Sequence, residues 1–146
     1  MHFDGSRQLE GSGAGVVLMS PKGDKLRYVL QIHFGCTNNV AEYEALLHGL
    51  RVAKEMSITR IRCFGDSDLV AQQVSGTWDS KDPNMAAYMR AVDAIGGHFL
   101  GFEVEHIDRR LNEAADALSW LGSQCKIVPP NAFLDELTLP MVKPPT

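Results

Sequence analysis

The sequence predicts an α/β fold, a mixed sheet with helices on both faces. Three observations carry that prediction. Two strand-like runs near the start are joined by a strong turn; a long run at helical spacing then leads into a short apolar run suited to a buried parallel strand; and helix, strand, helix follow in that order further along.

Taken in order, Phe3-Asp4-Gly5-Ser6 marks the end of a first strand with only Met1, His2 and Phe3 before its aspartate. Gly13–Met19 is small and β-branched, Pro21-Lys22-Gly23-Asp24 is a turn, and Leu26–Phe34 alternates, so a hairpin is expected. Asn38 or Asn39 caps a helix on which Tyr43, Leu46, Leu47, Leu50 and Ala53 recur at helical spacing, ending at Ser57–Thr59. Ile61–Phe64 suits a buried parallel strand. A short helix over Asp66–Val74 stops near Gly76, and a second over Pro83–Ile95 places Met85, Tyr88, Met89 and Val92 on one face. Phe102–Ile107 alternates as a strand. Leu111–Leu121 is a last helix with Ala115, Leu118 and Leu121 on its buried stripe. After Gly122 the prolines at 129, 130, 140, 144 and 145 describe an extended segment, so the sequence divides into a domain over 1–123 and a Pro-containing tail or linker over 124–146.

At 146 residues the chain holds one domain with a real core. No apolar run approaches the roughly 18–20 residues of a membrane span, and the first residues lack the charged and apolar regions of a secretion signal, so a cytoplasmic or nuclear protein is expected. Cys36, Cys63 and Cys125 have no metal-ligand spacing and read as small core residues in a reducing compartment. A formal net charge of −4 disfavours a grip on nucleic acid by bulk electrostatics. Any such binding must use a local site or metal ions.

Four carboxylates stand where this element order presents side chains at strand ends: Asp4, Glu42 early in the first long helix, Asp66 after the short strand, and Asp116 early in the last helix. Taken singly, each has an ordinary structural reading as a turn former or helix-terminal charge. Converging together they would repel, which implies hard divalent metal, and Mg²⁺ with its preference for oxygen ligands suits the set.

Phe3-Asp4-Gly5-Ser6, Gly11–Val16, Thr37-Asn38-Asn39-Val40-Ala41-Glu42-Tyr43-Glu44-Ala45-Leu46, Gly65-Asp66-Ser67-Asp68-Leu69-Val70 and Asn112–Leu118 resemble, in order and spacing, the ribonuclease H family, and most of all the version in plant gypsy-type LTR retrotransposon polyproteins. The resemblance covers about Met1 to Ser123. It implies a ribonuclease H-like mixed five-stranded sheet, with Asp4, Glu42, Asp66 and Asp116 as catalytic metal ligands for two Mg²⁺ ions, Mn²⁺ being the alternative. The implied activity is hydrolysis of the RNA strand of an RNA–DNA hybrid, giving 5′-phosphate and 3′-hydroxyl ends. It further implies that Gly5, Ser6 and Asn39 face the RNA minor groove and that Arg109 sits near the scissile phosphate, in a loop where many members carry histidine. Glu44 and Asp68 match no catalytic position and read as solvated or supporting groups. The polyprotein context implies reverse transcriptase or integrase segments as neighbours, and a monomer is expected.

Two features depart from the family. Between Gly76 and Gly97 only Lys81 and Arg90 are basic, which predicts weak, salt-sensitive substrate binding, and Trp78 reads either as a stacking surface for the DNA strand or as core. The short first strand opens a second reading: a truncated, domesticated transposon relic serving as a weakly active or inactive interaction module.

Overall fold

A computed structural model of the chain describes residues 1–8, 11–74, 83–124 and 128–142, with the side chains of Asp68 and Leu69 excepted. Gly76, Trp78, Lys81 and Cys125 lie outside the described residues.

β1 (His2–Gln8), β2 (Gly11–Met19) and β3 (Lys25–Ile32) form an antiparallel meander. The expected turn joins β2 to β3: Gly23 takes φ +94°, open to glycine without a side-chain clash, and the Ser20 hydroxyl accepts from the Asp24 N–H at 3.1 Å. α1 (Asn38–Glu55) then carries the chain to β4 (Arg60–Gly65), parallel to β1. α2 (Asp68–Val74) and α3 (Pro83–Gly96) lead to β5 (Gly101–His106), parallel to β4. A 3₁₀ turn at Arg109–Leu111 precedes α4 (Glu113–Ser123), and β6 (Phe133–Leu137) runs parallel to β3. The sheet order is β5-β4-β1-β2-β3-β6, so β1 and β2 are central.

α1 and α3 cover one face over the main core, in which Phe3, Val16, Leu30, Tyr43, Leu46, Leu50, Tyr88 and Val92 are all buried. α4 covers the other face, where Val17, Val29 and Leu118 make a smaller cluster. Two glycines set how closely the helices approach. A Cβ at Gly5 would collide with the α1 backbone at Ala41 and Glu42, and one at Gly15 with the α4 backbone at Ala115 and Ser119. β1, which bears Asp4, and β2, whose Gly15 pairs with Asp4, are therefore held at short range to the helices that bear Glu42 and Asp116. Among the described residues no helix is long and apolar enough to cross a membrane.

Three expectations need correction. The first strand does not end at Asp4: β2 pairs with β1 as far as Gln8↔Gly11, so Asp4 lies inside a seven-residue strand. The cap of α1 is Thr37, whose hydroxyl accepts from the Val40 N–H at 3.2 Å, while Asn38 and Asn39 are already helical. The sheet has six strands rather than five. The sixth comes from the Pro-containing segment, which turns at Pro129, pairs Phe133–Leu137 with Tyr28–Ile32, and stacks Phe133 on Tyr28. That segment is too short and mixed in polarity to announce a strand. The open edge of β3 supplies its hydrogen-bond partners.

Candidate active site

Asp4 on β1, Glu42 on α1 and Asp66 just after β4 each present a carboxylate oxygen, and the three oxygens lie within 4.8 Å of one another. Asp4 and Glu42 are buried, 3% and 7% exposed, while Asp66 is half-buried. Oε2 of Glu42 and Oδ2 of Asp66 are buried with no hydrogen-bond partner. Such groups are strongly disfavoured in an interior unless something compensates. Burial, a hydrogen bond with the Asp116 carboxyl and the charges of Asp66, Glu42 and Asp116 together push the Asp4 carboxyl up to about 8. Burial likewise pushes Glu42 up to about 8, reinforced by Asp66 and opposed by a hydrogen bond with Ser67 and by the charge of Arg109. Without a cation, this cluster holds protons at neutral pH.

An all-oxygen set of three converging carboxylates, two of them with unpartnered buried oxygens, fits a hard divalent ion. Asp116 is outside this tight trio but close enough to help raise the Asp4 carboxyl. Its side chain is 44% exposed, at the mouth of the site.

Two residues that position this site were not evident in the sequence. Ser119, fully buried on α4, donates from its hydroxyl to Asp4 Oδ2 at 3.2 Å and also lies 2.9 Å from the Asp116 carbonyl oxygen. Asn112, also buried, donates from Nδ2 to the Phe3 carbonyl at 3.0 Å and ties the start of α4 to β1. The available signal was a serine four residues after Ala115, on the buried stripe of the helix.

Of the residues implied to meet substrate, Gly5 lies on β1 against α1, and Ser6 lines the cleft beside the acids. Asn39 is half-buried in the first turn of α1. Arg109 reaches Asp116, Nη2 to Oδ1 at 3.9 Å, whereas Arg110 is tied back to Asp108 at 3.2 Å. Glu44 is not solvated. It is fully buried, accepting from the Tyr88 hydroxyl at 2.6 Å and the Met141 N–H at 3.0 Å.

The chain matches the family described as reverse transcriptase-like over residues 2–121. It is 38% identical over 121 residues to ribonuclease HI of Halobacterium salinarum, an alignment covering 81% of this chain and 60% of that protein. This chain thus spans less than two thirds of that relative's length. The crystal structure of RNase H1 from the same archaeon superposes with a TM-score of 0.73 at 31% identity, covering 83% of this chain and 93% of that one. LC11-RNase H1, solved in complex with an RNA/DNA hybrid, gives 0.67 at 27% identity, covering 80% and 90%. The chain belongs to the ribonuclease H family.

Proposed function

We propose that the chain is an endoribonuclease that hydrolyses the RNA strand of RNA–DNA hybrids at the Asp4, Glu42, Asp66 and Asp116 cluster. The observation that carries this reading is the buried trio of carboxylates with unpartnered oxygens, in a family one of whose members is solved with a hybrid. Asp4, Glu42 and Asp66 would hold two Mg²⁺ ions with help from Asp116, and Mn²⁺ would substitute. When bound, the pair supplies an acidified water and neutralises charge on the departing 3′ oxygen, which leaves 5′-phosphate and 3′-hydroxyl ends.

The protein's own groups orient the strand. Arg109, exposed beside Asp116, is placed to pair with a phosphate. Asn39 and the Gly5–Ser6 stretch would read the minor groove, where the 2′-hydroxyl distinguishes RNA from DNA. Ser119 fixes one oxygen of Asp4. In keeping with its resemblance to gypsy-type polyproteins, the domain would work as a monomer beside reverse transcriptase or integrase segments, in the cytoplasm or nucleus. Residues 1–123 carry the catalytic unit, and the segment after them braces the β3 edge.

Incubation with a hybrid labelled on the RNA strand tests this. RNA cleavage that needs Mg²⁺ or Mn²⁺ and spares duplex DNA is expected. Hybrid binding without cleavage under any divalent ion would favour the interaction-module reading instead.

A further inference from the structure

A cleft of about 610 Å³ opens on the Asp116 side of the acids, walled by Ser6 and Gln8 of β1, by Arg109, and by Asp116 and Trp120 of α4. Trp120 is 47% exposed and lines this cleft. Its backbone is held by the helix end, where its carbonyl accepts from the Ser123 hydroxyl at 2.8 Å and the Gln124 N–H at 3.0 Å. The backbone that carries the indole is thus held at the cleft wall.

The wall chemistry is graded. At one end Arg109 offers a cation beside the acids. Along β1, Gln8 and Ser6 offer an amide and a hydroxyl, bonded to each other at 3.0 Å. At the other end stands an aromatic face with one N–H donor. A phosphate suits the first, a sugar hydroxyl the second, and the flat edge of a sugar the third. Spacing agrees with a nucleic-acid strand. Four residues of helix separate Asp116 from Trp120 by about 6 Å, and one strand sets a phosphate every ~3.4 Å of duplex axis. Along the helix Trp120 is therefore displaced from Asp116 by the length of one to two nucleotides. Within a duplex the base faces are covered by their neighbours, so the surface open to the indole is the ribose.

We propose that Trp120, with Ser6 and Gln8, forms a subsite for the ribose of the RNA strand one to two nucleotides from the scissile phosphate. The subsite rests on the ribonuclease reading above and names how that site holds its strand.

The test has two arms. In the active protein, Trp120→Ala should raise KM for the hybrid about tenfold with kcat within about twofold, and Trp120→Phe should recover most of the loss. An unchanged KM in Trp120→Ala overturns the subsite while leaving the ribonuclease reading intact. In an Asp66→Asn background, which stops turnover, tryptophan emission is compared with that of Asp66→Asn/Trp120→Phe as hybrid is added, with complex formation followed by anisotropy of a labelled strand. Emission assigned to Trp120 by difference should change as the hybrid saturates, and change less with duplex DNA of the same sequence. No change at saturation, or an equal change with duplex DNA, overturns the proposal. This arm reads binding alone, so it decides the subsite even if the parent fails to cleave.

Discussion

Glu42 and Glu44 leave the same helix two residues apart, both buried, and meet opposite surroundings. Around Glu44 the neighbours are donors: the Tyr88 hydroxyl, the Met141 N–H and, at longer range, Arg51, all of which oppose the upward push of burial on its carboxyl. Around Glu42 the nearest ionisable neighbours are carboxylates. Each glutamate leaves its Oε2 buried without a partner, so the two differ in whether donors or other acids surround them. Burial alone therefore does not mark a functional acid. A carboxylate that has been given donors fastens the fold, in this case the main core to the C-terminal segment. One surrounded by other carboxylates is a site waiting for a cation.

The sharpest way to break this comparison is to alter each side separately. Glu42→Gln should abolish hybrid cleavage, by about a thousandfold or more, while leaving the metal-free fold at least as stable, because it relieves repulsion. Tyr88→Phe removes one donor from Glu44 and should lower stability by about 1–2 kcal/mol in urea unfolding while leaving cleavage within about twofold. Glu42→Gln protein that cuts like the parent, or Tyr88→Phe protein that loses cleavage but not stability, would exchange the two roles.

A second prediction follows from the sign of the shifts. Asp4 and Glu42 hold protons up to about 8 in the folded state, against ordinary carboxylate values in the unfolded chain. The folded form thus binds more protons in between, and the stability these groups contribute is fully present below the ordinary values and is lost as pH rises through about 8. Divalent metal should offset that loss. Tm measured from about pH 5 to about pH 9 should fall more steeply in chelator than in Mg²⁺, and Glu42→Gln should flatten the chelator curve. Parallel curves would show that metal does not bind at these acids.

Most of the fold was legible because its signals are local. The Pro21–Asp24 turn, the spacing of Tyr43, Leu46, Leu47 and Leu50, and the apolar run at Ile61–Phe64 each point to the element that forms there. Three of the four predicted acids converge as a tight trio, with Asp116 beside them, because β1, β4 and the start of α1 meet at one end of the sheet. What was not legible depends on partners distant in the chain. β6 exists through pairing with β3, a hundred residues earlier, and Glu44 reads as either a solvated or a supporting acid until Tyr88 and Met141 close over it. Ser119 looks like a mild polar interruption of a helix stripe. Its role emerges only because Gly15 lets α4 approach closely enough for its hydroxyl to reach Asp4.

Ser119 and Arg109 extend the comparison to smaller effects. Ser119→Ala leaves one oxygen of Asp4 without its donor and should weaken Mg²⁺ binding and cleavage by about tenfold to a hundredfold, as loss of a ligand's hydrogen-bond partner does. Unaltered Mg²⁺ affinity in that variant would reduce Ser119 to a packing residue. Arg109 is more exposed and only 3.9 Å from Asp116, so its contribution is smaller. Arg109→Ala should lower multiple-turnover rate by at most about tenfold, roughly 1.4 kcal/mol, at fixed salt. Arg110→Ala should do little, since Arg110 is engaged with Asp108. Equal effects from the two alanine variants would mean that Arg109 is an ordinary loop arginine.

The central claim is that the acids around Glu42, and not those around Glu44, hold the metal on which cleavage depends. Calorimetric titration of Mg²⁺ into the parent, Glu42→Gln and Tyr88→Phe measures this most directly. Saturable binding in the parent and in Tyr88→Phe, lost in Glu42→Gln, is the predicted result. Binding to Glu42→Gln as tight as to the parent would contradict the account.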